Sequence, residues 1–403
     1  MRDAVICEPL RTPVGGFGGV FKDVSAASLA ETVLRALIAR TSIDPALVEE
    51  VIFGQCNPNG EAPAIGRIAA LDAGLGVHVP GVQVDRRCGS GLQAVIDACM
   101  RVQTGASELL IAGGVESMSQ VEHYVVGARW GLRGDSSPMW DRLVRGRIAS
   151  GGRNHPIAGG MIETAENLRR EFNISREAQD ELAYHSQQRA KAAMEKGLFD
   201  DEIVPVEVTK RGKTNVVATD EHPRPQTSLE DLSALRAVRA RQDDGATVTA
   251  GNASGQNDGA AACIITTPEM AEKLGLRPLG RLVSWAVTGL EPERMGLGPV
   301  SSSQKALSRA GLTLKDMDLL EINEAFAAQV LACTQSLGLG KDDFARLNVN
   351  GSGISLGHPL GATGVRILAT MLREMQRRDA RYGLETMCIG GGQGLAAIFE
   401  NLR

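Results

Sequence analysis

The chain resembles itself at a separation of roughly 270 residues, a spacing too long for a stacked solenoid and suited to a duplicated domain. The strand-like opening Ala4–Glu8 has its counterpart in Arg281–Ala286. A helix-like run over Leu29–Thr41 leads into IDPALVEEVIFGQ, and Ser302–Ala310 leads into LTLKDMDLLEINEA. Chemically the most useful match is VQVDRRCGSGLQAVIDACM, followed by the apolar ELLIAGG. Its partner is LNVNGSGISLGHPLGATGVRILATMLREM, followed by ETMCIGGGQG. Each copy reads as β-rich run, small-residue turn, helix and buried strand, which predicts a layered α/β fold built from two halves packed face to face.

A length of 403 residues already favours two or three domains over one core. The repeat places the first half at 1–121 plus 251–274 and the second at 275–403. Between them, 122–250 departs from the pattern with GLRGDSSPMW, helix-like runs at Thr164–Phe172 and Arg176–Lys196, and the charged VTKRGKTNVVATDEHPRPQTS. It reads as an inserted, loop-rich segment that covers a site or reaches a partner subunit. The first half resumes at Gly251, where NASGQNDGAAACIITT is expected to run through a turn and a helix start into a buried strand.

A net charge of -5 over this length argues against a nucleic-acid partner. No apolar run is long enough for a membrane span. The start MRDAVICEPLRTP has no signal-peptide pattern, and the closing Glu-Asn-Leu-Arg is not a peroxisomal or retention address. The seven cysteines are scattered without a C-x-x-C spacing, so no metal is expected and a reducing cytoplasm is the natural compartment.

Cys88 lies in Arg86-Arg87-Cys88-Gly89-Ser90-Gly91, where a strand meets a helix; free amides and the positive helix end would lower its thiol pKa. A nucleophile and a buried packing cysteine stand equally open there. His358, in Gly357-His358-Pro359-Leu360-Gly361, occupies the mirrored position, with Pro359 expected in the first turn of a helix. That placement suits a Cys–His pair in which imidazole takes the thiol proton. Cys388 ends an apolar strand just before three glycines whose amides could line an anion site, and core packing is its plainer reading. Asn323 sits in Glu321-Ile322-Asn323-Glu324, where a helix cap is the bland alternative. Gly15-Gly16-Phe17-Gly18-Gly19 lacks the spacing of a phosphate loop and is expected to be a turn.

Taken in order, Cys88-Gly89-Ser90-Gly91, Gly113-Gly114-Val115-Glu116-Ser117-Met118-Ser119, Gly251-Asn252-Ala253-Ser254-Gly255, Asn323-Glu324-Ala325-Phe326, Gly357-His358-Pro359 and Cys388-Ile389-Gly390-Gly391-Gly392 resemble the thiolase family, the acetyl-CoA C-acyltransferases. The resemblance spans almost the whole chain and implies a five-layer αβαβα core with an inserted loop domain, assembled as a homotetramer or homodimer. It implies CoA-dependent cleavage of a β-ketoacyl-CoA, as in fatty-acid β-oxidation, or the reverse condensation. Cys88 becomes the acylated nucleophile, His358 its base and Cys388 the acid/base at the substrate α-carbon. Asn323 would hold a water that acts with His358 on the thioester oxygen, and the amides of Cys88 and Gly390 would form a second oxyanion hole. Ser254, Arg224, Met161 and Met295 would contact coenzyme A, a substrate and not a tightly bound cofactor. The chain departs from the usual pattern at Gly160, where histidine is common, at Gln256, where an aliphatic residue is usual, and near Asp231, where a serine can contact the nucleotide. Ketoacyl-synthase-like condensing enzymes pair their cysteine with two histidines, a non-catalytic acyl-CoA or lipid-binding relative would lack the thiols, and a cysteine hydrolase has no need of Cys388.

Overall fold

Strand and helix alternate in both halves as a duplication requires. In the computed structural model, which describes residues 2–134 and 136–402, the strands of the main sheet are β1 (Val5–Arg11), β2 (Glu50–Gly54), β3 (Gly81–Val84), β4 (Leu109–Ser117), β5 (Asn257–Thr266), β6 (Pro278–Gly289), β7 (Leu319–Ile322), β8 (Tyr382–Ile389) and β9 (Gln393–Asn401). The helices that matter to the site are α1 (Ala26–Thr41), α2 (Ile65–Asp72), α3 (Ser90–Thr104), α4 (Arg142–Ile148), α5 (Gly160–Glu171), α6 (Arg176–Glu195), α7 (Gly298–Ala310), α8 (Ala327–Leu337), α9 (Gly353–Leu356) and α10 (Thr363–Arg378).

The strand order is β7-β8-β9-β6-β1-β5-β4-β2-β3. Within it β2-β4-β5-β1 and β7-β8-β9-β6 repeat one pattern, a parallel pair followed by antiparallel neighbours. The halves join where β1 meets β6 antiparallel, at Val5↔Arg281, Ile6↔Gly280 and Cys7↔Pro278. Residues on β5 alternate between two cores: Ala260, Ala262 and Ile264 enter one, Ala261, Cys263 and Ile265 the other. With both faces covered, a strand reads as a continuous apolar run and carries no polar side. That is why the Ala-rich stretch after Gly259 suggested a helix start from sequence; the residues are all strand, zipped to β4 and β1. Gly15–Gly16, expected as a turn, form a two-residue strand against the start of β5.

Three cores define five layers. One packs α1 and α2 (Leu29, Val33, Leu34, Ile65) on the outside of the first half. Another holds α3 and α10 (Leu92, Val95, Val365, Leu368) between the two half-sheets. The last packs α7 and α8 (Ala306, Leu307, Val330, Cys333) outside the second half. The middle layer is the one that counts for chemistry, because α3 and α10 each begin next to a candidate residue. Their starts approach to backbone contact: a Cβ on Gly91 would stand 2.6 Å from the Gly361 oxygen, and one on Gly364 would collide with the backbone of Leu92. Only glycine permits such an approach.

Behind this layer lies a costly arrangement. Glu321 and Glu385 are register partners on β7 and β8, both buried, with Arg366 of α10 the cation bearing on both. Both Glu385 carboxylate oxygens and Arg366 Nε and Nη2 lack a hydrogen-bond partner among the described residues. Burial pushes Glu321 up to about 8, opposed by Arg366 and Arg189 and reinforced by Glu324 and Glu374. Burial raises Glu385 well above the carboxylate range, with Glu321 adding to it and Arg366 opposing. An acid whose folded pKa exceeds its unfolded value costs nothing below the unfolded pKa and costs progressively more stability as pH rises through the folded one. Thermal unfolding of Glu385→Gln should therefore match the parent near pH 4 and exceed it at pH 8, by roughly 2 °C or more. An equal or lower melting temperature at pH 8 would contradict this account.

Candidate active site

The turn between β3 and α3 presents Cys88. Arg87–Gly89 form a 3-10 turn that runs directly into α3. Arg87 sits at φ 49, a left-handed backbone uncommon for a residue with a side chain. The turn is pinned by Arg87 N donating to Asp85 Oδ1 at 2.8 Å. Ser90 Oγ adds to this, accepting from Arg86 N at 2.9 Å and donating to Arg87 O at 2.7 Å. Burial pushes the Cys88 thiol up, against hydrogen bonds from the Gly390 amide and its own amide and the charges of Arg87 and Arg147. The amides and cations at the helix start act in the direction expected from sequence, but desolvation is the larger influence on the thiol.

His358 follows the short α9 and precedes α10, which begins only at Thr363; Pro359 is therefore not a first-turn residue. Instead Thr363 closes the loop. Its hydroxyl donates to Pro359 O at 3.0 Å and lies 2.7 Å from His358 Nδ1. With the hydroxyl proton so used, Thr363 accepts from Nδ1–H, which leaves Nε2 as the free nitrogen. Asn257 at the start of β5 fixes the backbone, its Oδ1 accepting from His358 N at 2.8 Å. Burial, followed by the charges of Arg366 and Arg147, pushes His358 down to about 3.

Asn323 is fully buried, and its Nδ2 lies 3.4 Å from His358 Nε2. It caps no helix, since α8 starts at Ala327 with Phe326 at the cap position. Its Oδ1 has no hydrogen-bond partner among the described residues. Cys388, at the end of β8, is fully buried in a cluster with Val248, Met295, Ala325 and Phe326. These four residues also line a chamber of about 390 Å³ onto which Cys88, His358 and Gly390 open. Cys388 thus lies just under the chamber wall, close enough that the Cys88 charge adds to the effect of burial in holding its thiol well above the ordinary range.

A buried carboxylate ties the loops of the two halves together. Glu116, at the end of β4, accepts from Cys56 N, Asn57 N and Gly361 N, each at 3.0 Å. Burial still pushes it up to about 7.

Residues 4–269 match the family model for the thiolase N-terminal domain and 276–401 that for the thiolase C-terminal domain. The chain belongs to the thiolase family. It is 46% identical over 403 residues to an acetyl-CoA acetyltransferase of Escherichia coli and 45% identical over 405 residues to the beta-ketothiolase BktB of Cupriavidus necator, covering 100% of each chain in both alignments. The Bacillus anthracis acetyl-CoA acetyltransferase structure superposes with a TM-score of 0.94 at 42% identity, over 100% of this chain and 99% of that one. A CoA complex of human mitochondrial 3-ketoacyl-CoA thiolase gives 0.91 at 40% identity, over 100% and 98%. The duplicated αβαβα fold and an acyltransferase activity of the thiolase type follow, and a ketoacyl-synthase-like or non-catalytic reading is not favoured. Among the described residues no helix is long and apolar enough to cross a membrane.

Of the residues singled out in sequence, this thiolase brings Cys88, His358, Asn323, Cys388 and Gly390 together, and Ser254, Met161 and Met295 line the same chamber. Arg224 lies outside it, its backbone N donating to Gln187 Oε1 at 2.8 Å. Asp231 is in a capping box with Ser228. The sequence reading passed over Thr363, although it stands within the quoted glycine-rich stretch, and also Arg147, which lies in the inserted segment with no local pattern to mark it.

A base whose folded pKa is depressed stays neutral, and the stability it costs appears only as pH falls below its unfolded value near 6.5. His358 ring signals, assigned by their loss in His358→Asn, should therefore show no titration between pH 5 and 8 in carbon-13 histidine NMR. A midpoint near 6.5 would mean that the imidazole is solvated.

Proposed function

We propose that this chain catalyses reversible CoA-dependent cleavage of a β-ketoacyl-CoA to acetyl-CoA and a shortened acyl-CoA through an acyl-Cys88 intermediate. A thiol from one half and an imidazole from the other open onto one chamber, a second thiol lies just under its wall, and that arrangement carries this reading. His358 Nε2 takes the Cys88 proton as the sulfur attacks the substrate's C3 carbonyl. Holding neutral imidazole beside neutral thiol keeps both groups ready, and the charge develops only during attack. The C2–C3 bond then breaks, its electron pair forming the enolate of acetyl-CoA, and Cys388 supplies the proton to C2. A second CoA thiol gives its proton to the Cys388 thiolate as it attacks the acyl-Cys88 carbonyl, the acyl group passes from Cys88 to the CoA sulfur, and Cys88 recovers its own proton from His358.

Two sets of donors would hold the developing oxyanions. The amides of Cys88 and Gly390 flank the sulfur and suit the tetrahedral acyl intermediate. Asn323, with a buried and unpartnered Oδ1, would position a water that acts with His358 on the enolate oxygen. One such donor is commonly worth about 3–4 kcal/mol of barrier. Ser254, Met161 and Met295 would receive the pantetheine arm, with Arg224 further out toward the nucleotide. Coenzyme A enters as substrate, and no tightly bound cofactor is needed for these steps.

The inserted segment 122–250, set between halves 1–121 plus 251–274 and 275–403, would also make the oligomer contacts. Its hairpin of His123–Val125 and Met139–Asp141 exposes Trp130 at 88%, Val126 at 69% and Met139 at 68%, an apolar surface suited to a second copy in a homodimer or homotetramer. Free, mostly buried cysteines fit a reducing cytoplasm, and β-oxidation of fatty acids is the process in which cleavage would run.

Intact-mass measurement after incubation with acetyl-CoA should show an acyl adduct on the parent and none on Cys88→Ser; a full adduct on another residue would overturn the nucleophile. Cys388→Ser should still acylate at Cys88 while its carbon–carbon cleavage and condensation fall by roughly 100-fold or more. Normal condensation in that variant would remove Cys388 from the proton transfer.

A further inference from the structure

Among the described residues the chamber around Cys88 is lined by two arginines, Arg87 and Arg147, and by no aspartate or glutamate. Arg87 is committed: Nη2 donates to Gly146 O at 2.8 Å and Nη1 to Cys56 Sγ at 3.6 Å. Arg147 is free. Its backbone oxygen accepts from Ser150 Oγ at 2.9 Å, but its guanidinium makes no hydrogen bond or ion pair among the described residues. The acid whose charge bears most on it, Asp141, is occupied in capping α4, where Oδ1 accepts from Leu143 N at 2.8 Å and Val144 N at 3.3 Å. Burial pushes the Arg147 guanidinium below its ordinary value.

Position narrows what could pair with it. Arg147 lines the chamber onto which Cys88 and His358 open, and its charge bears on both, so it stands at the end where the acyl group is carried in the proposed reaction. The phosphates of coenzyme A are a pantetheine arm away from that end. Gly160, at φ 62, makes the room: a Cβ there would already stand 3.4 Å from Arg147 Cβ, and a longer side chain would press on the arginine stem. Leu143, Val144, Ile148 and Ile162 line the same chamber and give it apolar wall suited to methylene groups.

We propose that the acyl pocket accepts 3-oxoacyl-CoAs whose tail ends in a carboxylate, and that Arg147 is the specificity residue that pairs with that carboxylate. This deepens the thiolase reading above and rests on it. Cleavage then yields acetyl-CoA and the CoA monoester of a dicarboxylic acid. A carboxylate gives Arg147 a bidentate, charge-assisted partner in a site poor in water. A methyl-ended tail does the reverse: it strips remaining water from the guanidinium and offers nothing in return. Discrimination of about 10- to 100-fold is expected from one such pair.

The test compares kcat/KM for two 3-oxoacyl-CoAs of equal chain length, one ending in carboxylate and one in methyl, with acetoacetyl-CoA as reference. The wild type should prefer the carboxylate-ended substrate by about tenfold or more. Arg147→Gln should erase that ratio, chiefly through KM for the carboxylate substrate, and Arg147→Lys should restore part of it. A product-inhibition measurement on the wild type stands independently of whether the variants fold: the CoA monoester of a dicarboxylic acid should compete more tightly than a neutral acyl-CoA of equal length. A wild-type preference for the methyl-ended tail overturns the proposal. So does an equal loss on both substrates in Arg147→Gln, which would assign the arginine to the Cys88 charge or to coenzyme A. Absence of CoA-dependent cleavage of all three substrates by the wild type would instead bring down the thiolase reading itself, and this inference with it.

Discussion

The backbone contact between the starts of α3 and α10 is the constraint on which the rest depends. Cys88 precedes one helix and His358 the other, and the helices come from different halves of the chain. They can share a chamber only if nothing stands between them, and Gly91, Gly361 and Gly364 ensure that. Close-packed interiors transmit small displacements. A methyl group at this contact would be felt at both reacting side chains, although none of these glycines touches the chamber's chemistry. Glu116 reinforces the same junction from the side, holding amides of both halves on one carboxylate.

That junction is embedded in apolar packing, which sets the electrostatics. Desolvation is the largest influence on Cys88, Cys388 and His358, and in each case it favours the neutral form. The groups around Cys88 work against it: the Gly390 amide, Arg87 and Arg147 all favour a thiolate. Cys388 has only its own amide to offset burial. The two thiols, one on the chamber and one just under its wall, thus differ in their surroundings, and more groups favour ionisation at Cys88 than at Cys388.

The segment 122–250 forms part of the chamber wall. It supplies Arg147, Gly160, Met161 and Ile162 to the walls, while the duplicated halves supply the chemistry. Such a division lets substrate range change without disturbing the junction, because α4 and α5 pack over the site and are not part of its floor.

By itself the sequence determined the two-half α/β architecture and singled out Cys88, His358, Asn323, Cys388 and Gly390 as candidates, because those are written in local patterns: small-residue turns before helices, apolar strands and glycines at fixed places. It did not determine that Asn257–Thr266 is strand throughout, since an Ala-rich run buried on both faces carries no alternation to read. Nor did it reveal that α10 waits until Thr363, that Thr363 sets the imidazole's orientation, or that burial pushes the Cys88 thiol up. Those outcomes depend on which distant atoms exclude water from a given group. Arg147 is the clearest case: in sequence it is one arginine among several in a loop-rich stretch, and only the tertiary structure puts it on the chamber wall with its guanidinium unpartnered among the described residues.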